Sequence, residues 1–210
     1  MLRPLIALAA LAAPLLAAAP AAAVVLGTWT HDYGTNGGYT PENFDQTFAD
    51  SVRLINGNQS PSDINFDSFD LSSLSGATIQ EITFTITFDG ADTASGGELW
   101  YIDIYGSVTG SYNDNVWTTL ADDPGLDTLT FTLDAGTDTG GVDAFSHIVS
   151  TLELSFGFEE TTSPNDWLNI YEATVTVIGE ANVPLPAPVL LLLSGLAGLA
   201  LWRRRGPAAA

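Results

Sequence analysis

The chain has 210 residues, with 25 acidic side chains against five arginines, no lysine, two histidines and no cysteine, for a formal net charge of −20 at pH 7. Without cysteine there is no disulfide and no thiol nucleophile, so hydrophobic packing or a bound metal must supply the stability. Nothing in the acidic part clusters Lys or Arg, which excludes a phosphate-backbone partner, so no nucleic acid is expected.

The first stretch reads as a secretory signal peptide. Arg3 gives a positive start, Leu5 to Ala19 an apolar run, and Ala21-Ala22-Ala23 an A-x-A site for signal peptidase, with Ala21 and Ala23 as its small residues. The mature chain then begins at Val24. Between this leader and the C-terminal tail lie residues 24–182, a length that fits one domain. All 25 acidic residues fall there and Arg53 is the single basic one, so the segment carries 1 − 25 = −24. Such a surface attracts cations and repels anionic lipid or polysaccharide unless a divalent ion mediates.

Within 24–182 the pattern is strands and turns. Val24 to Thr30 reads as a first strand carrying Trp29, and His31 to Pro41 as a Gly/Asn/Tyr loop. Phe44 to Asn56 mixes helical spacing (Phe48, Val52, Ile55) with strand features, and strand is expected from Ser51 onward. In Asp63 to Leu71, Ile64, Phe66 and Phe69 are expected to face inward before a turn at Ser72 to Gly76. The clearest strand is Ile79 to Asp89, where Ile82, Phe84, Ile86 and Phe88 alternate with Thr83, Thr85 and Thr87. Leu99 to Gly106 follows, with Trp100, Ile102 and Ile104 expected inward and Tyr101, Asp103 and Tyr105 outward. Leu129-Phe131-Leu133 and Leu152-Leu154-Phe156-Phe158 repeat the alternation. The last strand, Leu168 to Ile178, changes register near Tyr171, which predicts a bulge before Ala173, Val175 and Val177. Eight or nine strands with no long helix give an all-β fold, a β-sandwich and most simply a jelly roll.

Candidate chemistry is sparse. Gly106-Ser107-Val108-Thr109-Gly110 puts serine one place early for a nucleophile elbow, and neither His31 nor His147 lies near a serine signature. A glycosidase needs two facing carboxylates roughly 5–10 Å apart, for which Glu81, Asp103 and Glu153 are the first to consider. Calcium is the cofactor that carboxylate-rich loops could hold as a structural ion. Asp63-Ile64-Asn65-Phe66-Asp67 has the opening spacing of an EF-hand, but Ser68 and Leu74 replace the glycine and closing glutamate, so no EF-hand forms. Asp89 to Glu98 and Asp134 to Asp143 place carboxylates among glycines, as calcium loops do and as ordinary turns also do. Sugar binding would use exposed aromatic faces: Tyr101, Asp103 and Tyr105 as a ligand row, with Tyr112, Trp117 and Trp167 as further candidates.

The tail is the most legible stretch. Val183-Pro184-Leu185-Pro186-Ala187 precedes a 14-residue uncharged run, Val189 to Trp202, and then Arg203, Arg204 and Arg205. As a helix the run spans roughly 21 Å at about 1.5 Å per residue, short of the roughly 30 Å hydrocarbon core. It can insert with little margin, and the three arginines hold its far end on the cytoplasmic side. The prolines forbid regular structure just outside the membrane.

This order of motif, apolar helix and arginine cluster resembles the VPLPA variant of the PEP-CTERM sorting tails that bacterial exosortases recognise. The resemblance implies a precursor held in the inner membrane, cut near the motif by an exosortase-type enzyme, and passed to the cell surface or extracellular matrix, often beside exopolysaccharide. It carries no catalytic residue. The expectation is therefore a non-enzymatic exported sandwich, structural or adhesive, with a carbohydrate-binding, lectin-like module as the alternative and a glycoside-acting enzyme behind it.

Overall fold

The computed structural model describes residues 23–56, 64–91, 100–107, 116–120, 125–160 and 166–180. Among these, ten strands follow one another as β1 (Val24–Asp32), β2 (Gln46–Thr47), β3 (Val52–Asn56), β4 (Ile64–Asp70), β5 (Thr78–Asp89), β6 (Trp100–Ile104), β7 (Val116–Thr119), β8 (Asp127–Asp134), β9 (Glu153–Glu160) and β10 (Asp166–Glu180). A four-residue helical turn, α1 (Gly34–Gly37), a 3-10 turn at Ser72–Leu74 and a helix, α2 (Ala144–Thr151), complete the set.

The strands form two antiparallel sheets. The first has the order β2-β3-β10-β5-β8, with β1 also paired to β10, and the second β4-β9-β6-β7. From β3 onward the chain changes sheet at every connection except the β6–β7 hairpin, and the resulting orders 3-10-5-8 and 4-9-6-7 are those of a jelly roll. Strand β10 organises the first sheet: β5 pairs along one side of it, while β3 and β1 divide the other.

The alternation of β5 makes the core. Ile82, Phe84 and Ile86 are fully buried, and Phe88 nearly so, against Leu154, Phe156 and Phe158 of β9 in a single cluster. The Phe84 and Phe156 rings meet across the sheets with centroids 4.8 Å apart, the contact that closes the sandwich. Each such side chain contributes about 1.5–3 kcal/mol on burial. Trp100 belongs to this core, and the expected bulge in β10 is present as a register shift between Ile170 and Glu172 against β5. One extra residue there lets Leu168 and Ile170, then Ala173, Val175 and Val177, all face inward.

Three expectations need correction. First, Ala144–Thr151 is a helix where none is expected, whereas Phe44–Asn56, which mixes helical and strand spacing, holds β2 and, as expected from Ser51 onward, β3. Phe145, Ile148, Val149 and Leu152 follow the i, i+3, i+4, i+7 rule and lie against the core, so the helical period was there to be read. Asp138 caps this helix by accepting the N–H groups of Phe145 at 3.0 Å and Ser146 at 2.8 Å. Second, Leu152 does not open β9. It ends α2 in the left-handed conformation, φ 57°, with its N–H donated to Ile148 O at 2.7 Å and its side chain against the core. Third, His31 and Asp32 are not loop: they extend β1, and the turn α1 follows within the expected loop.

Candidate functional site

The sequence-predicted ligand row is only partly as expected. Trp100, Ile102 and Ile104 face the core, and Tyr101 and Tyr105 are half-buried on the opposite face of β6. Asp103 is 2 % exposed, so it does not project into solvent between the tyrosines. Nor do the paired-carboxylate candidates converge. Glu81 belongs to the first sheet and the other two to the second, where Asp103 pairs with Gly157, four residues along β9 from Glu153. That separation is about 13 Å at ~3.3 Å per residue, beyond glycosidase spacing. Tyr112 and the Trp117 side chain lie outside the described residues, as do Ala21, Val183, Pro184, Leu185, Pro186, Ala187, Arg203, Arg204 and Arg205. Ala23 is exposed, directly ahead of β1. Among the described residues no helix is long and apolar enough to cross a membrane.

The calcium loops resolve into turn chemistry where they are described. Asp134 accepts from Gly136 N–H at 2.7 Å and Thr137 N–H at 3.1 Å, Asp138 caps α2, and Asp143 accepts the N–H of Ser107 at 2.9 Å as well as its hydroxyl. Among the described residues no three His, Asp or Glu side chains are grouped to hold a metal ion. Most of Asp89–Glu98 lies outside them.

Sequence reading missed a buried polar hub. Asp67, 1 % exposed, accepts hydrogen bonds from the Tyr33 hydroxyl at 2.8 Å, the Tyr39 hydroxyl at 3.0 Å and Ser68 N–H at 2.8 Å, and lies 2.7 Å from His31 Nδ1. The imidazole is stacked between Tyr39 and Phe69, with centroids 3.5 Å and 4.0 Å away. A bulge in β4 between Asn65 and Asp67 turns Asp67 inward beside Phe66. The three-residue step from Phe66 to Phe69, where strict alternation needs two, is its trace in the sequence. Burial, and then the Asp67 charge, push both tyrosine hydroxyls well above their ordinary value. They stay protonated and serve as donors. The hub therefore joins β1, at an edge of the first sheet, to β4, at an edge of the second, and holds no activated base among its phenols.

The outer face of the first sheet has two parts. At one end, the Arg53 guanidinium lies 4.7 Å from the Phe48 ring centroid and 4.2 Å from that of Trp167, while its Nε–H donates to Asn169 Oδ1 at 2.8 Å. Phe48 lies just past β2, Arg53 on β3 and Trp167 on β10, so the stack runs across this edge of the sheet. Gly90, just past β5, continues it, since a Cβ there would fall 2.4 Å from the Trp167 ring. Both aromatic residues remain 39 % exposed. Tyr171 stands nearby, its hydroxyl pushed up by burial and then by the Asp89 charge.

The other part is a grid of threonines. Thr28, Thr176, Thr83 and Thr132 form one row across β1, β10, β5 and β8; Thr30, Thr174, Thr85 and Thr130 form the next; Thr87 and Thr128 begin a third. Neighbouring hydroxyls meet at 3.2 Å for Thr28 and Thr176, 3.0 Å for Thr30 and Thr174, 3.1 Å for Thr85 and Thr130, and 3.4 Å for Thr87 and Thr128. The two full rows hold no charge.

No family model and no curated protein matches the chain. Among solved structures it is similar to the CBM22-1 xylan-binding domain of Paenibacillus barcinonensis Xyn10C, at 12 % identity and TM-score 0.39 over 78 % of this chain and 100 % of that one. It is also similar to the xylan-binding module CBM15, at 16 % identity and TM-score 0.37 over 77 % and 99 %, and to peanut lectin, at 10 % and 0.31 over 77 % and 100 %. Similarity this low fixes no ligand for this chain.

Proposed function

We propose that the protein is an exported β-sandwich module which its C-terminal tail delivers to the cell surface or extracellular matrix, where it acts as a structural or adhesive component and not as an enzyme. The observation that carries this reading is the order of Val183-Pro184-Leu185-Pro186-Ala187, apolar run and Arg203-Arg204-Arg205, placed directly behind a strand that ends at Glu180. The other end agrees with it. Strand β1 starts at Val24, immediately after the signal-peptidase site at Ala23, and Val24 pairs with Gly179.

Both ends of the domain therefore leave the sandwich side by side. A membrane tether at Glu180 puts Trp167, 13 residues back along β10, about 43 Å from the tether at ~3.3 Å per residue. The Phe48-Arg53-Trp167 stack is then presented outward. The test is processing in a host that carries an exosortase. Pro184→Ala with Pro186→Ala is expected to leave insertion intact and to trap the uncut chain in the membrane fraction. Neutralising Arg203, Arg204 and Arg205 is expected to let the short segment slip through, so that the chain is secreted with its tail attached. If the proline variant is cut and released like the parent chain, the motif is not what the processing enzyme reads and the proposal fails.

A further inference from the structure

We infer that the outer face of the first sheet, from the threonine grid to the Trp167 stack, is a binding face for a flexible, uncharged polysaccharide. β-propensity explains threonine at any one of these positions. It does not explain two complete four-residue rows without a carboxylate in a domain that carries 25 of them. Charge on the face begins in the third row, where Glu172 accepts from the Thr174 hydroxyl at 3.2 Å, and the two rows kept uncharged mark what the face has to meet.

The occupant follows by elimination. A second copy of the domain brings another −24 charge to the face, and an anionic polysaccharide meets the same repulsion together with Asp32, Glu172 and Asp89 along the face. A cationic partner gains most over the acid-rich remainder of the surface. A rigid lattice is disfavoured by twist, because roughly 20–25° per strand turns each row by about 60–75° between β1 and β8. A single uncharged chain can follow that twist. Each threonine offers a methyl group and a hydroxyl that both donates and accepts, and a cross-strand pair uses only part of that capacity. Polyhydroxylated chains present the same mixture of C–H and O–H.

At the far end of β10, Phe48 and Trp167 add exposed apolar edges, and the Arg53 Nε–H bond to Asn169 fixes the guanidinium in place. Among the described residues no carboxylate lies within ion-pair distance of Arg53. Binding rests on this face alone; only its outward presentation rests on the tethered reading above, so a chain that is never cut would still bind.

The experiment is affinity electrophoresis of the full chain in mild detergent through gels containing hydroxyethyl cellulose, a galactomannan or a neutral β-1,3-glucan, with polygalacturonate as the anionic comparison. Retardation by at least one neutral polymer is expected, unchanged by EDTA. It should weaken at least tenfold in Thr85→Lys or Thr130→Lys, and likewise in Trp167→Ala. Thr85→Val keeps the branched shape and removes the hydroxyl, so it should fold normally and bind severalfold more weakly. Tyr101→Ala with Tyr105→Ala, on the second sheet, should change nothing. The inference is overturned by retardation in none of the neutral polymers, in polygalacturonate alone, or by loss only in the tyrosine variant. It is equally overturned if the lysine changes dissolve a stable dimer of the free chain, or if the chain partitions into growing ice and ignores the polymers.

Discussion

Asp67 is a buried carboxylate surrounded by donors, and removing it strands the fully buried Tyr33 hydroxyl together with the partly buried Tyr39 hydroxyl and His31 ring. Breaking a buried charged network of this kind typically costs about 3–5 kcal/mol, so Asp67→Ala is expected to lower the urea midpoint by that equivalent, and Asp67→Asn by less. A loss under about 1 kcal/mol would mean that the two sheet edges are not held there. Asp143 gives a pH-dependent counterpart at the surface. The Ser107 hydroxyl, and then its N–H, hold the Asp143 carboxyl below the ordinary carboxylate value. Because the folded value is the lower one, the stabilisation is present above the unfolded value, near 4, and is lost as pH falls through the folded one. Carboxyl-carbon NMR should show Asp143 titrating at higher pH in Ser107→Ala than in the parent chain. Identical titration curves would contradict the contact.

At the scale of elements, α2 depends on a cap supplied from outside it. Asp138 satisfies two N–H groups of the first turn, and Asp138→Ala is expected to cost about 0.5–2 kcal/mol, read as a lower melting temperature with the sheet signal retained. Gly179 tests the β10–β5 pairing: a Cβ there would fall 2.1 Å from Thr78 O, a backbone atom that cannot swing aside. Gly179→Ala should therefore cost about 1–3 kcal/mol, and a neutral effect would mean that the last pairs of the ladder have already parted. Such features show where the sequence was informative. The two-residue alternation of β5 and the register change at Tyr171 name core residues directly, because one wrong step would put a whole strand's apolar face in water. Helix α2 was overlooked because eight residues bounded by strands show barely two turns of period. Asp67 stands out in the sequence only through an EF-hand-like spacing that Ser68 and Leu74 rule out, because its real partners, His31, Tyr33 and Tyr39, lie 28 to 36 positions away. Threonine on outward positions was legible as alternation, but its alignment into rows needed the register of four strands.

For the whole molecule, charge and tail set the behaviour. A domain with 24 net negative charges repels itself, so moderate sodium chloride should raise its melting temperature by screening. Calcium at matched ionic strength separates screening from a bound ion. An additional rise at micromolar to millimolar calcium would show a specifically bound ion, and no difference between the two salts would reject one. On the function proposed above, a processing enzyme reads the proline-rich strip just beyond Glu180 and parts the domain from its membrane segment. Intact-mass spectrometry of the protein recovered from an exosortase-bearing host reads both termini at once. The expected product is a chain that starts at Val24 and ends between Val183 and Ala187, found outside the inner membrane. A recovered chain that still carries Trp202 and the three arginines, and stays in the membrane fraction, would contradict it.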